Sequence, residues 1–411
     1  MVEWAPAPEA ARGSPEAPRW RWLRALGWVA LAAAAAVGVL LVEAWPALGE
    51  RASGARLARM EASPNYREGA FRNALPAVSD GASLGVAWEF LTSDTPYQRP
   101  PAPLATVARG AGDFAAPRAG LRVTWLGHST LLVELDSARV LIDPMWGRRA
   151  SPSRWVGGTR FAAPPLALDS LPPIDAVLIS HDHYDHLDTP TVRALAGRVR
   201  RWVVPLGVGA HLEAWGVAPE AIVELDWWET AEASGVTLVS TPARHFSGRF
   251  VTDRDATLWT GWAILGRRER VWYSGDTALT PEFAVVGARY GPFDLTLVES
   301  GAYDAGWADV HLGPEQAVAA HRMVRGRVLV PVHWGMFDLA NHGWTEPAER
   351  VREAAASLGI PVALPRPGES VTPEAFPTAR WWPERPWVSA REAPARSTGL
   401  PDSVRALVPG T

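Results

Sequence analysis

The sequence predicts an α/β fold of the αββα type, with helices on the outer faces of two packed β-sheets. From Leu121 onward, short runs rich in β-branched residues alternate with turns, and helical stretches separate groups of these runs. Layers of sheet covered by helices are what such an alternation produces. Several runs also end in histidine or aspartate, and α/β proteins gather functional groups at the carboxyl ends of strands.

The predicted elements follow from local patterns. We expect strands at 121–125, 130–135, 138–142, 176–180, 201–205, 236–241, 258–265, 270–274, 293–298 and 327–332. Helices are expected after Asp188, after Gly313 and after Thr345, and each of them has a proline in its first turn.

Composition divides the chain into five regions. These are a disordered basic terminus, a membrane span, a linker with a packed lead-in, a catalytic domain, and an irregular, partly disordered tail rich in Pro, Arg and Trp. Their predicted bounds are 1–24, 25–42, 43–118, 119–372 and 373–411. The α/β sandwich is therefore expected to follow an amino-terminal transmembrane segment.

The run 25–42 is uncharged and apolar, and Arg24 and Glu43 flank it. Its length suits one bilayer crossing, and the arginines that precede it favour a cytoplasmic amino terminus. The catalytic domain would then lie outside the cytoplasm, which is the periplasm in a bacterium. A cleaved signal peptide is the alternative, because the small residues Ala44 and Ala47 follow the run, although the long stretch before it argues against cleavage.

The composition excludes several classes of protein. Among 411 residues, 20% are charged and the net charge is −4, so the chain lacks the basic field of a nucleic-acid binder. There is no cysteine, which excludes disulfides, thiolate catalysis and cysteine-bound zinc. The oligomeric state stays open.

Three histidines and two aspartates occupy six consecutive positions in the segment Ser180-His-Asp-His-Tyr-Asp-His-Leu187. Neutral imidazole and carboxylate are ligands that suit zinc, iron or manganese, and a loop at a strand end can aim alternate side chains into one pocket. The alternative is a polar loop without a metal, but ten histidines in 411 residues rarely fall in such a pattern. The segment therefore predicts a metal site.

Three later strands also end near a candidate ligand: His245, Asp276 and His333. Each is weak evidence alone, since an aspartate after glycine can be a turn or a helix cap. Together with His181, His183, Asp185 and His186 they make seven candidate ligands. Seven ligands are enough for two metal ions.

These residues occur in the order of the motifs of the metallo-β-lactamase superfamily, with Asp143 as the first. The chain resembles that superfamily over roughly residues 60 to 370. The segments 141–152, 243–249, 311–318 and 332–341 more narrowly resemble the branch of N-acyl-phosphatidylethanolamine-hydrolysing phospholipases D. The resemblance implies the four-layered αββα sandwich of the superfamily.

The resemblance also implies two zinc ions, for which other divalent metals could substitute. One ion would be held by His181, His183 and His245, the second by Asp185, His186 and His333, and Asp276 would bridge them. Asp185 and Asp276 thereby become catalytic residues. Asp143 is expected to orient a metal-bound histidine without binding the metal, and its alternative is a turn residue before Pro144.

Two further histidines are assigned different roles. His311 matches a substrate-facing histidine of the family, so we expect it to be a third catalytic residue that donates to the substrate or leaving group. A structural role in its loop is the alternative. His321 lies on the apolar face of the helix after Gly313 and is expected in the core.

The segment 145–161 interleaves arginines with large aromatic residues. Arg148 and Arg149 could bind phosphate oxygens, as could Arg154 and Arg160. Aromatic side chains in the same segment could sit at a lipid interface, namely Trp146, Trp155 and Phe161. The alternative is a solvated basic loop whose aromatics pack inward.

The sequence therefore predicts a membrane-tethered dinuclear zinc phosphodiesterase. Its expected substrate is a phosphatidylethanolamine-type phospholipid, N-acylated or not, cleaved as a phospholipase D cleaves. A lactonase or another carbonyl hydrolase of the same fold is one alternative, because the same centre can attack a carbonyl carbon. A non-catalytic metal-binding surface protein is the other.

Overall fold

The computed structural model describes residues 1–5, 19–79, 81 and 83–410. The chain divides into two compact units, Met1–Trp45 and a second that begins at Pro46. Most of the predicted disordered terminus, 6–18, lies outside the described residues.

The first unit contains most of helix α1 (Arg19–Leu48), which includes the whole predicted span. Its Trp22–Leu48 part is 27 residues long and contains an 18-residue stretch with a mean hydropathy of 2.4. By length and composition it is the one helix of the described part of the chain that could cross a membrane. A signal sequence meets the same criteria.

The second unit follows α1 with alternating strands and helices. In chain order these are α2 (Gly54–Glu61), β1 (Tyr66–Arg67), β2 (Ala70–Phe71), α3 (Leu84–Thr92), β3 (Arg122–Gly127), β4 (Thr130–Leu135), β5 (Ala138–Ile142), β6 (Ala176–Leu178), α4 (Thr189–Leu195), β7 (Trp202–Pro205), α5 (Gly209–Ala214), β8 (Ile222–Leu225), β9 (Thr230–Ala233), β10 (Val236–Thr241), β11 (Gly261–Leu265), β12 (Arg270–Tyr273), α6 (Glu282–Tyr290), β13 (Phe293–Glu299), α7 (Pro314–Met323), β14 (Gly326–Val332), α8 (Glu346–Ala356), β15 (Ser370–Val371) and α9 (Asp402–Arg405). Each predicted strand overlaps one of these strands, and the three predicted helices are α4, α7 and α8.

Two large sheets form the centre of this unit. One has the strand order β15-β3-β4-β5-β6-β7-β8, and the other has the order β14-β13-β12-β11-β10-β9. Within the first sheet β5 to β8 are parallel, and within the second β12 to β14 are parallel. The sequence analysis missed β8, β9 and β15, which are short strands at or beside sheet edges.

The strands have two buried faces, which is why they read as continuous apolar runs. In β4, Leu131 and Val133 point into the core between the sheets, where they join Leu238 and Leu295 of the second sheet. Leu132 points to the opposite face and packs in a core with residues of α4 and α5. A third core covers the second sheet with α6, α7 and α8. This four-layered arrangement confirms the predicted αββα fold.

The region after Pro373, for which an irregular tail was expected, has little regular structure apart from α9. Trp382, Leu400 and Val404 of this region are buried, and the indole nitrogen of Trp382 donates to Glu349 of α8 at 2.8 Å. These residues cover part of the core.

His321 lies in α7, where only 2% of its surface is exposed. Its Nδ1 is 2.7 Å from Oγ1 of Thr296 on β13. Burial lowers the pKa of His321 to about 4, from 6.5. The side chain is therefore a neutral part of the core at physiological pH.

This pKa predicts a pH-dependent stability. Between about pH 6.5 and pH 4 the unfolded state binds the proton and the folded state does not, so stability falls as the pH is lowered through that window. We expect His321→Asn to lower the free energy of unfolding at pH 7. We also expect it to make the further loss between pH 7 and pH 5 smaller by about 1–2 kcal/mol. Denaturant titrations at both pH values, with both proteins metal-loaded identically, measure the difference. Equal losses in the two proteins would contradict it.

Candidate metal centre

The seven candidate ligands all follow strands at the same edge of the sandwich. His181 comes three residues after β6, Asp276 three residues after β12, and His333 directly after β14. β10 is antiparallel to β11, which is antiparallel to β12, so β10 and β12 run in the same direction and His245 emerges at this edge too. The topology thus brings together residues that the sequence separates widely.

The loop that carries four of the ligands is fixed at both ends. It leaves β6, turns through bonds from the backbone nitrogens of His186 and Leu187 to the carbonyl of His183, and enters α4 at once. Asp188 caps that helix by accepting from the backbone nitrogen of Thr191. A short, capped connection of this kind leaves the loop little freedom.

Three histidines form a first group of donors. His181 Nε2 lies 2.9 Å from His183 Nδ1, which in turn lies 3.3 Å from His245 Nε2. A second group contains Asp185, His186 and His333. The Asp185 Oδ2 atom lies 3.3 Å from Nε2 of both histidines. These are the two sets that the family resemblance implied.

Asp276 lies between the two groups. Its Oδ2 is 3.1 Å from His186 Nε2 and 3.0 Å from His333 Nε2 in the second group. The same atom is 3.8 Å from His181 Nε2 and 4.0 Å from His245 Nε2 in the first group. One carboxylate is thus within reach of both sets of donors.

Gly275 makes this placement of Asp276 possible. Its φ is +60°, a left-handed conformation that favours glycine, and an added Cβ would lie 3.1 Å from Cβ of Ser180 and closer still to the Thr260 carbonyl oxygen. A larger residue would force the turn before Asp276 outward.

The donor set fits divalent metal ions. Two ligand atoms that bind one tetrahedral zinc are about 3.4 Å apart, which is close to the spacings within both groups. Within the described residues, the buried atom Asp276 Oδ1 has no hydrogen-bond partner. Buried polar atoms are almost always satisfied, so this oxygen indicates a ligand that protein groups do not replace.

The charges of the site agree with this fit. Burial lowers the pKa of His183 to about 4, and burial with neighbouring imidazoles holds those of His181 and His245 well below 6.5. Neutral imidazole is the form that binds metals. Around His333, burial lowers the pKa but the carboxylates of Asp276 and Asp185 raise it by more, to about 10. The two aspartates thus favour a positively charged neighbour in the pocket. Either a protonated histidine or a divalent cation can provide this positive charge.

Asp143 supports this pocket from behind. Its Oδ2 accepts from His186 Nδ1 at 2.8 Å and from the Tyr273 hydroxyl at 2.6 Å. Ser180 donates to both carboxylate oxygens, from its backbone nitrogen at 2.7 Å and from its hydroxyl at 2.6 Å. Asp143 therefore orients His186 so that Nε2 faces the pocket. Sequence reasoning did not identify Tyr273 or Ser180 as members of this network.

His311 borders the same pocket. Its ring centroid is 5.0 Å from that of His245 and 5.3 Å from that of His333. Its Nδ1 is 2.8 Å from Oε2 of Glu299, a fully buried residue at the end of β13. Glu299 was not predicted, although a glutamate that ends an apolar strand is a signal that could have revealed it.

Two other residues also support the site. His128 Nε2 lies 2.8 Å from Asp185 Oδ2, and its ring packs 4.2 Å from that of His333. Asn73 holds His245 by its backbone: the Asn73 side chain accepts from the His245 nitrogen at 3.0 Å and donates to the His245 carbonyl at 2.8 Å. Asn73 mimics a strand partner for a ligand that follows its strand by four residues.

The structure separates the residues of the predicted lipid entrance. Arg148 and Trp155 are exposed. Trp146 is half-buried and donates to the carbonyl of Leu166 at 2.8 Å, and Phe161 is buried, so these two aromatics face inward as the alternative reading proposed. Arg149 donates to the carbonyls of Arg154 and Gly157 within its own loop.

The contacts of Arg149 and Arg160 within this segment have one physical cause. Its turns leave backbone carbonyls that need donors, and nearby arginines supply them. Arg160 shows the same behaviour, because its guanidinium donates to the carbonyls of Met145 at 2.7 Å and Ala162 at 3.3 Å. Of the four predicted substrate contacts, Arg148 and Trp155 are exposed, whereas Arg149 and Trp146 are half-buried.

Known proteins provide an independent comparison. Residues 138–334 match the family described as Beta-lactamase superfamily domain. An uncharacterized protein of Mycobacterium tuberculosis is 47% identical over 372 residues, which cover 87% of this chain and 99% of that protein. The N-acyl-phosphatidylethanolamine-hydrolyzing phospholipase D 1 of Caenorhabditis elegans is 36% identical over 256 residues, which cover 59% of this chain and 72% of that enzyme. Among solved structures, the metallo hydrolase Igni18 of Ignicoccus hospitalis aligns with a TM-score of 0.47 and 24% identity, over 61% of this chain and 97% of its own.

The geometry predicts a stoichiometry. Full-length protein that is stripped with a chelator and reconstituted with zinc should bind two equivalents by elemental analysis. Asp276→Ala should bind fewer and should lose at least about a hundredfold in turnover, because one carboxylate serves both groups. Asp169→Ala, at an exposed position, is the matched control and should behave as wild type. Saturation of the wild type at one equivalent would rule out a dinuclear centre.

Proposed function

The chain belongs to the β-lactamase superfamily, in the branch of the N-acyl-phosphatidylethanolamine-hydrolysing phospholipases D, and on that premise we propose that it is a zinc phosphodiesterase acting on phospholipids. At the coarser level it is a metal-dependent hydrolase of the metallo-β-lactamase fold. The finer proposal is that it cleaves phosphatidylethanolamine-type lipids, N-acylated or not, on the head-group side of phosphorus. The products are then phosphatidic acid and the amino alcohol or its amide.

One observation carries the proposal: two groups of three donors share the Asp276 carboxylate. This arrangement suits two ions held close together, with His181, His183 and His245 on one and Asp185, His186 and His333 on the other. When bound, such ions would supply a water of lowered pKa and positive charge opposite a phosphoryl oxygen. Phosphodiester hydrolysis needs both contributions.

The surrounding residues have separate tasks. Asp143 accepts from Nδ1 of His186 and so keeps Nε2 as the ligand atom. Glu299 accepts from Nδ1 of His311 and so fixes the orientation of the imidazole ring. The Nε2 atom lies on the edge of the ring that faces away from Glu299. From there a protonated Nε2 can donate to the leaving oxygen of the substrate and so assist its departure. Both carboxylates fix the ring that they contact before any substrate arrives.

The site would work at a membrane surface. The apolar helix α1 supports a single-pass tether, and the arginines that precede the span support a cytoplasmic amino terminus with the catalytic unit outside the cytoplasm. Exposed Arg148 and Trp155 offer a cation and an aromatic ring to a lipid head group. The partners proposed are therefore a bilayer and its phospholipids, and no nucleic acid.

The substrate class can be tested with full-length, zinc-loaded protein in mixed micelles. We expect mass spectrometry to detect phosphatidic acid together with an N-acylethanolamine from N-acylated phosphatidylethanolamine, and neither product from Asp276→Ala. The same preparations should leave a panel of lactones unopened. Lactone opening without phosphatidic acid would favour the carbonyl hydrolase alternative. Inactivity of a fully loaded enzyme on both panels would favour the non-catalytic one.

The role of His311 gives a separate prediction. His311→Ala should lower kcat by about a hundredfold or more while two zinc equivalents and the melting temperature stay unchanged, because the residue donates a proton and binds no metal. Glu299→Gln keeps an acceptor beside Nδ1 and should cost less. If His311→Ala loses a zinc equivalent, His311 is a ligand and the proposed assignment is wrong.

A further inference from the structure

The metal-binding loop has a second side that faces away from the metal pocket. Between its ligands stand Asp182 and Tyr184, and Leu187 follows the last of them. Asp182 is buried, and its carboxylate accepts from the Gly248 nitrogen at 2.7 Å and from the Thr257 hydroxyl at 3.0 Å. The loop is thus held by the residues that do not bind metal.

Arg249 makes several contacts with the side of the loop that faces away from the metal pocket. It is 4% exposed, and its Nη1 donates to the carbonyls of Asp182 and of Leu187, the latter at 3.0 Å. Its guanidinium lies 4.1 Å from the centre of the Tyr184 ring, and the Tyr184 hydroxyl donates to the Arg249 carbonyl. One planar, permanently charged group therefore bridges the two ends of the ligand loop.

The same layer holds the short segment 46–50, at the end of α1 and just beyond it. Arg249 Nε donates to the carbonyl of Ala47 at 2.8 Å, and the indole nitrogen of Trp215 donates to that of Pro46 at 2.7 Å. The Glu50 nitrogen donates to Nδ1 of His211 at 3.1 Å. His211 Nε2 lies 3.5 Å from Asp182 Oδ2, so this contact also leads to the metal-binding loop.

We propose that segment 46–50 positions the metal-binding loop through Arg249, Trp215 and His211, and that Arg249 is a positioning residue of the metal centre. The segment lies far upstream of 138–334, the part of the chain that matches the superfamily domain. Groups that orient metal ligands from behind typically change metal affinity by 10- to 100-fold when removed. The inference rests on the proposed metal centre but not on the choice of substrate.

Gly49 offers a way to test this connection without touching the loop. Its φ is +75°, and a Cβ at this position would overlap Nδ1 of His211, so even alanine would push the segment off its support. Gly54 is a matched control, because its φ is +57° and open space surrounds its Cβ position. Alanine introduces similar backbone strain at both sites and displaces the segment at one.

The experiment compares full-length wild type, Gly49→Ala and Gly54→Ala by competition for zinc with a chromogenic chelator. Gly49→Ala should bind zinc at least about tenfold more weakly, and Gly54→Ala should bind as the wild type does. Cobalt substitution adds a second readout, since a displaced ligand loop changes the visible spectrum of Gly49→Ala only. Equal zinc affinity and equal spectra in all three proteins would overturn the proposal.

Two further variants keep the test decisive if Gly49→Ala does not fold. Trp215→Phe removes the bond to Pro46 and keeps an aromatic ring beside Arg249 and His211, so zinc binding should weaken in the same direction. Arg249→Lys retains the positive charge but not the planar guanidinium, so it should bind zinc more weakly than the wild type does. Wild-type affinity in both folded variants would refute the role of the segment. Because zinc binding is measured without substrate, a failure of the phosphodiesterase proposal is recognised separately, as intact zinc binding with no phospholipid cleavage.

Discussion

Two carboxylates, Asp185 and Asp276, lie buried among imidazoles, and a buried negative charge is stable only with positive charge or strong donors beside it. Each aspartate meets this requirement partly through histidines that belong to a different strand end. Asp276, from the second sheet, lies against His186 of the first sheet, and Asp185 of the first lies against His333 of the second. These charges are therefore neutralised only when the two sheet edges pack together. The loops that carry the four residues must lie where this packing places them.

Most of the fold, and the residues that it gathers at the candidate metal site, could be predicted because their signals are local. A doubly buried strand must be apolar along its length, and a helix needs a cap, so β4 or α4 can be recognised without knowing its neighbours. A ligand such as His333 stands directly after such a strand, at a position where functional groups collect. The edge strands β8 and β9 escaped notice because they are short and only partly buried, and their residues therefore lack a continuous apolar run.

The supporting residues could not be predicted in the same way, because their roles exist only in three dimensions. Asn73 pairs with the backbone of a ligand 172 residues away, and nothing in its own neighbourhood indicates this partner. Tyr273 looks like an ordinary residue of an apolar strand until the sheet places it beside Asp143. The arginines after Asp143 show a related difficulty: loop carbonyls can use a guanidinium as well as a phosphate can, and only the loop conformation decides between them.

Because the candidate metal ligands come from both sheets, folding must precede the assembly of the site. Asp185 and His333 are 148 residues apart in the chain, and their side chains meet only when strands of both sheets have paired and packed. The candidate metal site is therefore complete only after the fold has formed, unlike that of a small zinc finger, in which metal binding drives folding. We expect a metal to bind after folding. If the domain crosses a membrane as an unfolded chain, we expect any metal that it binds to be acquired on the far side, from the supply of that compartment and not from the cytoplasm.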